Sequence, residues 1–240
     1  MTHYNDNKKK KKNPMKRKVF ALSRIFPIVT WAPMLSLLLV ACDQDEIKDT
    51  DIYCPHEGHA HAVDLGLSVK WACCNIGAHS PEEFGGYYAW GDPVEKDSCI
   101  WENYKWYNDE GDLYKYTDAD GKTTLEPEDD TAQALWGDEW RTPTLAEMQE
   151  LMERCTWTWC TVNGVHGYRV SGNGNSIFLP AAGSQYKDLF TSQGTQGCYM
   201  SATLYSDDKG YQVCMGFNKK DRYAINSDRY DGHTIRPVKK

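Results

Sequence analysis

Between Trp136 and Glu150 the chain reads WGDEWRTPTLAEMQE, and this stretch limits the architecture more than any other. Thr144 is a good helix N-cap, and Glu147 three residues later completes a capping box, two side chains each satisfying a backbone N–H of the other. Leu145, Met148, Leu151, Met152 and Cys155 then recur at helical spacing and form one apolar stripe. Upstream, Asp129 and Asp130 precede a shorter helical pattern over Thr131–Leu135 that Gly137 ends. Trp136 and Trp140 bracket an acidic turn between the two. Large indoles beside an apolar helix face predict a packing nucleus rather than a reaction centre.

Elsewhere the pattern is that of short strands. Val63, Leu65, Leu67, Val69 and Trp71 alternate with polar or small residues, the period of a half-buried strand. Tyr87–Trp90 reads as a second strand, ended by Gly91-Asp92-Pro93. Leu113–Thr117 and Lys122–Leu125 predict a hairpin around Asp118-Ala119-Asp120-Gly121. Trp157–Trp159 is strand-like, and Tyr168–Val170 with Ser176–Leu179 predicts a hairpin over Gly172-Asn173-Gly174-Asn175. Gln185–Gln196 is loop-rich. Cys198–Thr203 and Tyr211–Phe217 predict an antiparallel pair, and Arg222–Ile225 and His233–Val238 close the chain. One main helix among many short strands is an α+β domain.

The first 42 residues are not domain material. Lys16-Arg17-Lys18 is a charged leader, Ile25–Val40 is largely apolar, and Leu39-Val40-Ala41-Cys42 has the form of a bacterial lipobox. Pro27, Thr30, Pro33 and Ser36 interrupt the apolar run, which favours a cleaved lipoprotein signal over an uncleaved spanning helix. Residues 1–41 are therefore expected to be a signal segment, with translation starting at Met15, and Cys42 to carry the lipid. Each buried acyl methylene contributes about 0.8 kcal/mol of membrane affinity. Residues 42–61 form a polar tether, and residues 62–238 a single domain. Residues 1–42 hold nine of the 27 basic residues and one of the 34 acidic ones. The remainder has 18 against 33, a net charge of −15. Such a body repels phosphate backbones, so no nucleic-acid partner is expected.

Export bears on the nine cysteines. With Cys42 lipidated, Cys54, Cys73, Cys74, Cys99, Cys155, Cys160, Cys198 and Cys214 remain, an even number in an oxidising compartment. Spacing leaves the connectivity open, with Cys198–Cys214 the favoured pair because both lie in strands joined by a short turn. His56, His59 and His61 are three and two apart, with Gly58 between, and do not make an HExxH zinc motif. They read as a linker, with a metal-sequestering tract as the alternative. Placing Gly121 at the fixed glycine of a calcium loop puts Tyr116 and Pro127 at ligand positions, so no EF-hand forms. A different calcium site is a candidate: Glu126, Glu128, Asp129 and Asp130 cluster four carboxylates, a hard-cation donor set that also suits a helix N-terminus.

The blocks VDLGLSVKWA, NIGA, PEEFGGYYAWGD, KTTLEPEDDTAQALWGDEWRTPTLAEMQEL, NGNSIFLPAAG and DGHTIRPV, in that order over residues 62–238, resemble the Fibrobacter-succinogenes-type major paralogous domain. That family is common in exported lipoproteins of gut Bacteroidota, where an acidic run after the lipidated cysteine, as in Asp43-Gln44-Asp45-Glu46, resembles a surface-export signal. The resemblance implies a C-type-lectin-like fold, in the branch similar to formylglycine-generating enzymes and to variable proteins of diversity-generating retroelements. Residue by residue the relatives' functions do not carry over cleanly. Tyr230–Val238 holds no cysteine pair, and Cys198 and Cys214 match no such motif. The Glu-Pro-Asn and Gln-Pro-Asp tripeptides of calcium-dependent lectins are absent, and Tyr107-Asn108-Asp109 stands far from where a Trp-Asn-Asp motif would.

The expectation is a non-catalytic binding or adhesion module for a glycan or protein ligand, anchored in the outer membrane by lipid and exposed at the cell surface. Trp106, Tyr107, Tyr186, Tyr205, Tyr223 and Tyr230 are the candidate contact residues, since loop aromatics combine rigid area with a polar handle. A self-assembling surface component is the alternative, followed by a cysteine-dependent or hydrolytic enzyme. The chain has no G-x-S-x-G, HExxH or phosphate loop.

Overall fold

The computed structural model of the chain describes residues 62–240. The leader, Cys42, Cys54 and the His56–His59–His61 tract lie outside the described residues.

The capping box at the start of the central helix forms as its sequence predicts. Thr144 Oγ1 accepts from Glu147 N at 3.3 Å while Glu147 Oε2 accepts from Thr144 N at 2.9 Å, opening α2 (Leu145–Arg154). Arg141 grips the same carboxylate with both guanidinium nitrogens, one of them at 2.8 Å. The stripe buries Met148 and Leu151 completely, each stabilising the helix–sheet contact by about 1.5–3 kcal/mol. Before it, α1 (Thr131–Trp136) ends at Gly137, whose φ of 90° no side chain tolerates well.

Antiparallel strands dominate the rest. A two-stranded start, β1 (Ala62–Val63) and β2 (Lys70–Ala72), pairs with the last strand, β11 (Val238–Lys239), so the two ends of the domain share one sheet. A second sheet has β3 (Thr156–Val162), β4 (Val165–Gly172) and β5 (Asn175–Pro180) in order. Its turns are Asn163-Gly164 and Asn173-Gly174, all four residues at positive φ. Asn-Gly in this mirror-image turn matches the right-handed twist of the strands it joins. The third sheet has the order β10 (Arg222–Asp228), β9 (Tyr211–Asn218), β8 (Gln196–Leu204), and β6 (Ser184–Tyr186) pairs with β7 (Leu189–Thr191).

One core lies under α2, where Trp71, Tyr168, Val170, Ile177, Leu179, Tyr199, Met215 and Phe217 meet. A second gathers Ile76, Tyr88, Trp90, Tyr116, Met200 and Ile235. The architecture is α+β and mostly β. Among the described residues no helix is long and apolar enough to cross a membrane.

Four expectations are corrected. The alternating run from Val63 to Trp71 is not one strand: the chain turns at Gly66, φ 74°, and β1 folds back on β2. Val63, Leu65, Val69 and Trp71 still reach the core, so the apolar period reported burial rather than a straight path. Tyr87–Trp90 makes a single bridge, Tyr88 to His233. The Leu113–Leu125 hairpin does not form. Asp120 instead accepts from the backbone N–H groups of Tyr116, Thr117 and Lys122, and Thr124 pairs with Thr203. A carboxylate that caps its own turn outcompetes the ladder. Finally, part of the loop-rich segment after Gln185 is ordered as β6–β7.

Candidate functional site

The hairpin β6–β7 carries the most exposed apolar surface of the domain. Tyr186 is 44% exposed, Leu189 62% and Phe190 54%. Its base is pinned from two sides: Gln185 and Gly232 exchange backbone hydrogen bonds of 2.8 and 2.9 Å, and Cys99 N donates to Lys187 O at 3.0 Å. A rigid anchor therefore holds three large apolar side chains in water, against the usual rule for monomeric surfaces.

Beside the hairpin lies an aromatic cluster centred on Trp101. Tyr107 and Tyr230 stand 4.9 and 4.8 Å from its ring, and Tyr104 lies edge-on beneath it. Tyr230 is near enough to Tyr186 for the phenols to interact electrostatically. On the other flank Phe190 packs on Tyr87 at 4.9 Å and forms one wall of an open groove of about 570 Å³. Gly85, Gly86, Glu95, Lys96, Asp97 and Gln185 complete its lining, so the groove offers both aromatic and polar side chains. A Cβ at Gly86 would push aside the tips of the Glu95 and Tyr88 side chains.

Of the six aromatic residues singled out from sequence, the structure brings Tyr107, Tyr186 and Tyr230 together and sets the other three elsewhere. Trp106 is half-buried, donating from Nε1 to Gly91 O at 3.0 Å with the Lys105 and Lys115 ammonium groups over its ring. Tyr205 hydrogen-bonds Asp207 beside the β8–β9 turn, and Tyr223 packs its ring against Gly216, its partner on β9. Among the described residues no ring contact joins these three to Trp101. Trp101, Leu189 and Phe190 were missed. Only strand pairing, which puts the hairpin beside the 99–101 loop, makes them neighbours of Tyr186.

The four-carboxylate cluster splits. Asp130 leaves it: the side chain caps α1 through Ala132 N at 2.9 Å and accepts from Thr142 N and Oγ1, so its oxygens bond the start of α1 and the segment before α2. Glu126, Glu128 and Asp129 do stand together, but around ammonium groups. Lys115 Nζ lies 2.8 Å from Glu126, 3.5 Å from Glu128 and 2.5 Å from Asp129. Lys122 holds Glu126 at 2.6 Å, and Lys105 with the Tyr116 hydroxyl holds Asp129 at 3.0 and 2.6 Å. Burial alone would raise the Asp129 carboxyl, but hydrogen bonds from Lys115, Tyr116 and Lys105 outweigh it and hold the group below its usual range. Glu126, Glu128 and Asp129 thus remain grouped closely enough to share a cation, with Lys115 bridging all three.

A different group converges where β8, β9 and the C-terminal segment run side by side. The favoured Cys198–Cys214 pair is two separate thiols. Cys198 pairs in register with Gly216 and Cys214 with Met200, so the two share a face diagonally rather than directly opposite. That spacing is wider than a relaxed disulfide prefers. On the far side of β8, Tyr199 bridges Thr234 in parallel and Met200 N donates to Thr234 O at 3.0 Å. This brings His233 to the sulfurs: a ring nitrogen and both Sγ atoms all lie within 4.8 Å of one another. Hydrogen bonding with Cys214 draws the Cys198 thiol well below the usual range against the burial that raises it, and the His233 charge adds to the pull. Burial would lower His233, but negative charge on Cys198 and Asp231 outweighs it and raises the imidazole.

No protein-family model, curated protein or solved structure matches the chain.

Proposed function

We propose that residues 62–240 form a non-catalytic binding module with a C-type-lectin-like arrangement, displayed at the cell surface by a lipid on Cys42, and that its ligand is a glycan. One observation carries the reading. The exposed Tyr186–Leu189–Phe190 hairpin adjoins both the Trp101–Tyr107–Tyr230 cluster and a groove lined by aromatic and polar side chains. Sugar rings present an apolar face to stack on an aromatic and hydroxyls to bond with carboxylate, amide and ammonium groups, and this surface supplies both. The acidic tether Asp43–Asp51 and the lipobox fit display on a membrane. No calcium is needed, because the contact residues lie outside the Glu126–Asp129 cluster.

The test is a glycan array probed with the full chain, then repeated with the Tyr186→Ala, Phe190→Ala double variant. Binding that falls at least tenfold in the variant, with the melting temperature unchanged, supports the reading. Silence across host, microbial and dietary glycans would sink it. Dimerisation in sedimentation equilibrium that the same variant abolishes would instead assign the face to self-assembly.

A further inference from the structure

We propose that Cys198, Cys214 and His233 form a binding site for one borderline divalent metal ion of filled d shell, Zn2+ in the first place. Three ligand atoms of the right kind already converge within 4.8 Å, from three adjacent extended segments. In a tetrahedral Cys2His site, with metal–sulfur bonds of about 2.3 Å and metal–nitrogen bonds of about 2.0–2.1 Å, neighbouring ligand atoms stand roughly 3.5–3.8 Å apart. Small side-chain rotations close the difference, and the paired backbone need not move.

A second observation points to a missing partner. His233 is 2% exposed, neither ring nitrogen has a nitrogen or oxygen partner, and the group that faces the ring is the Cys198 sulfur. Buried imidazoles are ordinarily bonded through at least one nitrogen, because leaving such a group unpartnered costs about 1–3 kcal/mol. The Asp231 Oδ1 atom beside it is also buried and unpartnered, while Oδ2 takes the Ser227 hydroxyl at 2.7 Å. A metal on one ring nitrogen satisfies His233, and the Asp231 carboxylate, which interacts electrostatically with the same ring, is of the kind that serves metal-bound histidines as an outer partner.

Charge selects the class of ion. Two thiolates and a neutral imidazole around a dication sum to zero, whereas a monovalent ion leaves a net negative charge in a buried site. Hard cations are disfavoured by the sulfur donors. Metal binding displaces whatever protons the two sulfurs and the imidazole still carry to solvent, with no redox change. A thiolate–imidazolium pair acting as a nucleophile fits less well. The groove beside Tyr87 and Phe190 is lined by neither cysteine nor by His233.

The test uses the full chain, reduced and stripped with chelator, then titrated with Co2+ as a spectroscopic stand-in. One equivalent should give a thiolate-to-cobalt charge-transfer band and the red absorption of a tetrahedral centre. Zn2+ should displace it and, at about a hundredfold excess over its Kd, raise the melting temperature by about 5–10 °C. Cys198→Ser and His233→Asn should each abolish the cobalt band or shift it, while Cys160→Ser, on β3, should leave it intact. Cobalt on the His56–His59–His61 tract gives no thiolate band, so that tract cannot mimic the result. Should a variant unfold, alkylation mapped by mass spectrometry on the unmodified chain decides: Zn2+ should protect Cys198 and Cys214 selectively. No cobalt band in the reduced chain, a band unaffected by both variants, uniform protection of all cysteines, or binding of Cu(I) but neither Co2+ nor Zn2+ would overturn the proposal.

Discussion

Arg236 Nε donates to Asn75 Oδ1 at 2.7 Å in the interior of the domain, and no carboxylate takes part. The terminal nitrogens reach the backbone carbonyls of Ala72, Cys73 and Phe178 at 3.1, 2.6 and 2.8 Å. One fully buried cation therefore ties the β2 exit, the β5 strand and the C-terminal segment together through neutral oxygens. Arg236 stands between Ile235 and Pro237, and its partners are one side-chain amide and three backbone carbonyls. Arg229 repeats the device, with Nε on the Tyr104 hydroxyl at 3.0 Å and the guanidinium over Trp90 at 5.1 Å.

Replacing Arg236 by Leu removes donors from four buried acceptors at once. Breaking such a network costs about 3–5 kcal/mol. Urea unfolding should show a lower midpoint at unchanged m-value, and a double-mutant cycle with Asn75→Ala should be strongly non-additive. Additive effects would mean the pair is not coupled.

Trp140 is buried between Trp136, 5.4 Å away and edge-on, and the Lys239 ammonium at 5.2 Å over its ring. Trp140→Ala should destabilise by about 3 kcal/mol, the low end for such truncations because one wall of the site is a flexible lysine. The melting temperature should drop by roughly 6–12 °C. An unchanged value would show that the ring is not part of the folded interior.

Acid should unfold the domain partly through Glu147. Burial raises that carboxyl, but hydrogen bonds from Arg141 and Thr144 outweigh it, so its folded-state pKa lies below the unfolded one. A depressed carboxyl contributes stability that is present above the unfolded value near 4.5 and is lost as pH falls through the folded value. In Glu147→Gln the stability at neutral pH should fall by about 1–2 kcal/mol, and its slope between about pH 5 and pH 3 should flatten. Parallel acid limbs in the two proteins would refute the assignment.

Calcium should leave the melting temperature where it is. Any ligand that binds only the folded state raises it, but Lys115 already bridges Glu126, Glu128 and Asp129. Lys115→Met should open the cluster and create calcium-dependent stabilisation that the natural chain lacks. A calcium shift in the natural chain would show that the lysines swing aside.

Much of the fold was legible wherever neighbours in sequence are neighbours in space. The Thr144–Glu147 box, the Gly137 stop, the Asn173-Gly174 turn and the β8–β9 pair depend on contacts a few residues apart, and propensity and turn chemistry specify those directly. Asp120 shows where this fails, because a local cap and a ladder compete for the same N–H groups and their sequences look alike. The sites depend on contacts far apart in sequence. Cys198, Cys214 and His233 are unremarkable singly and meet only because a parallel bridge lays Thr234 along Tyr199. Phe190 becomes an exposed platform because β6–β7 is pinned to Cys99 and Gly232. The sequence by itself determined the helix, most turns and which side chains avoid water, since these follow from local sterics and from periodicity. Tertiary structure alone decided which carboxylates would meet lysines and which thiols a histidine, because ligand geometry depends on register between strands that no local signal encodes.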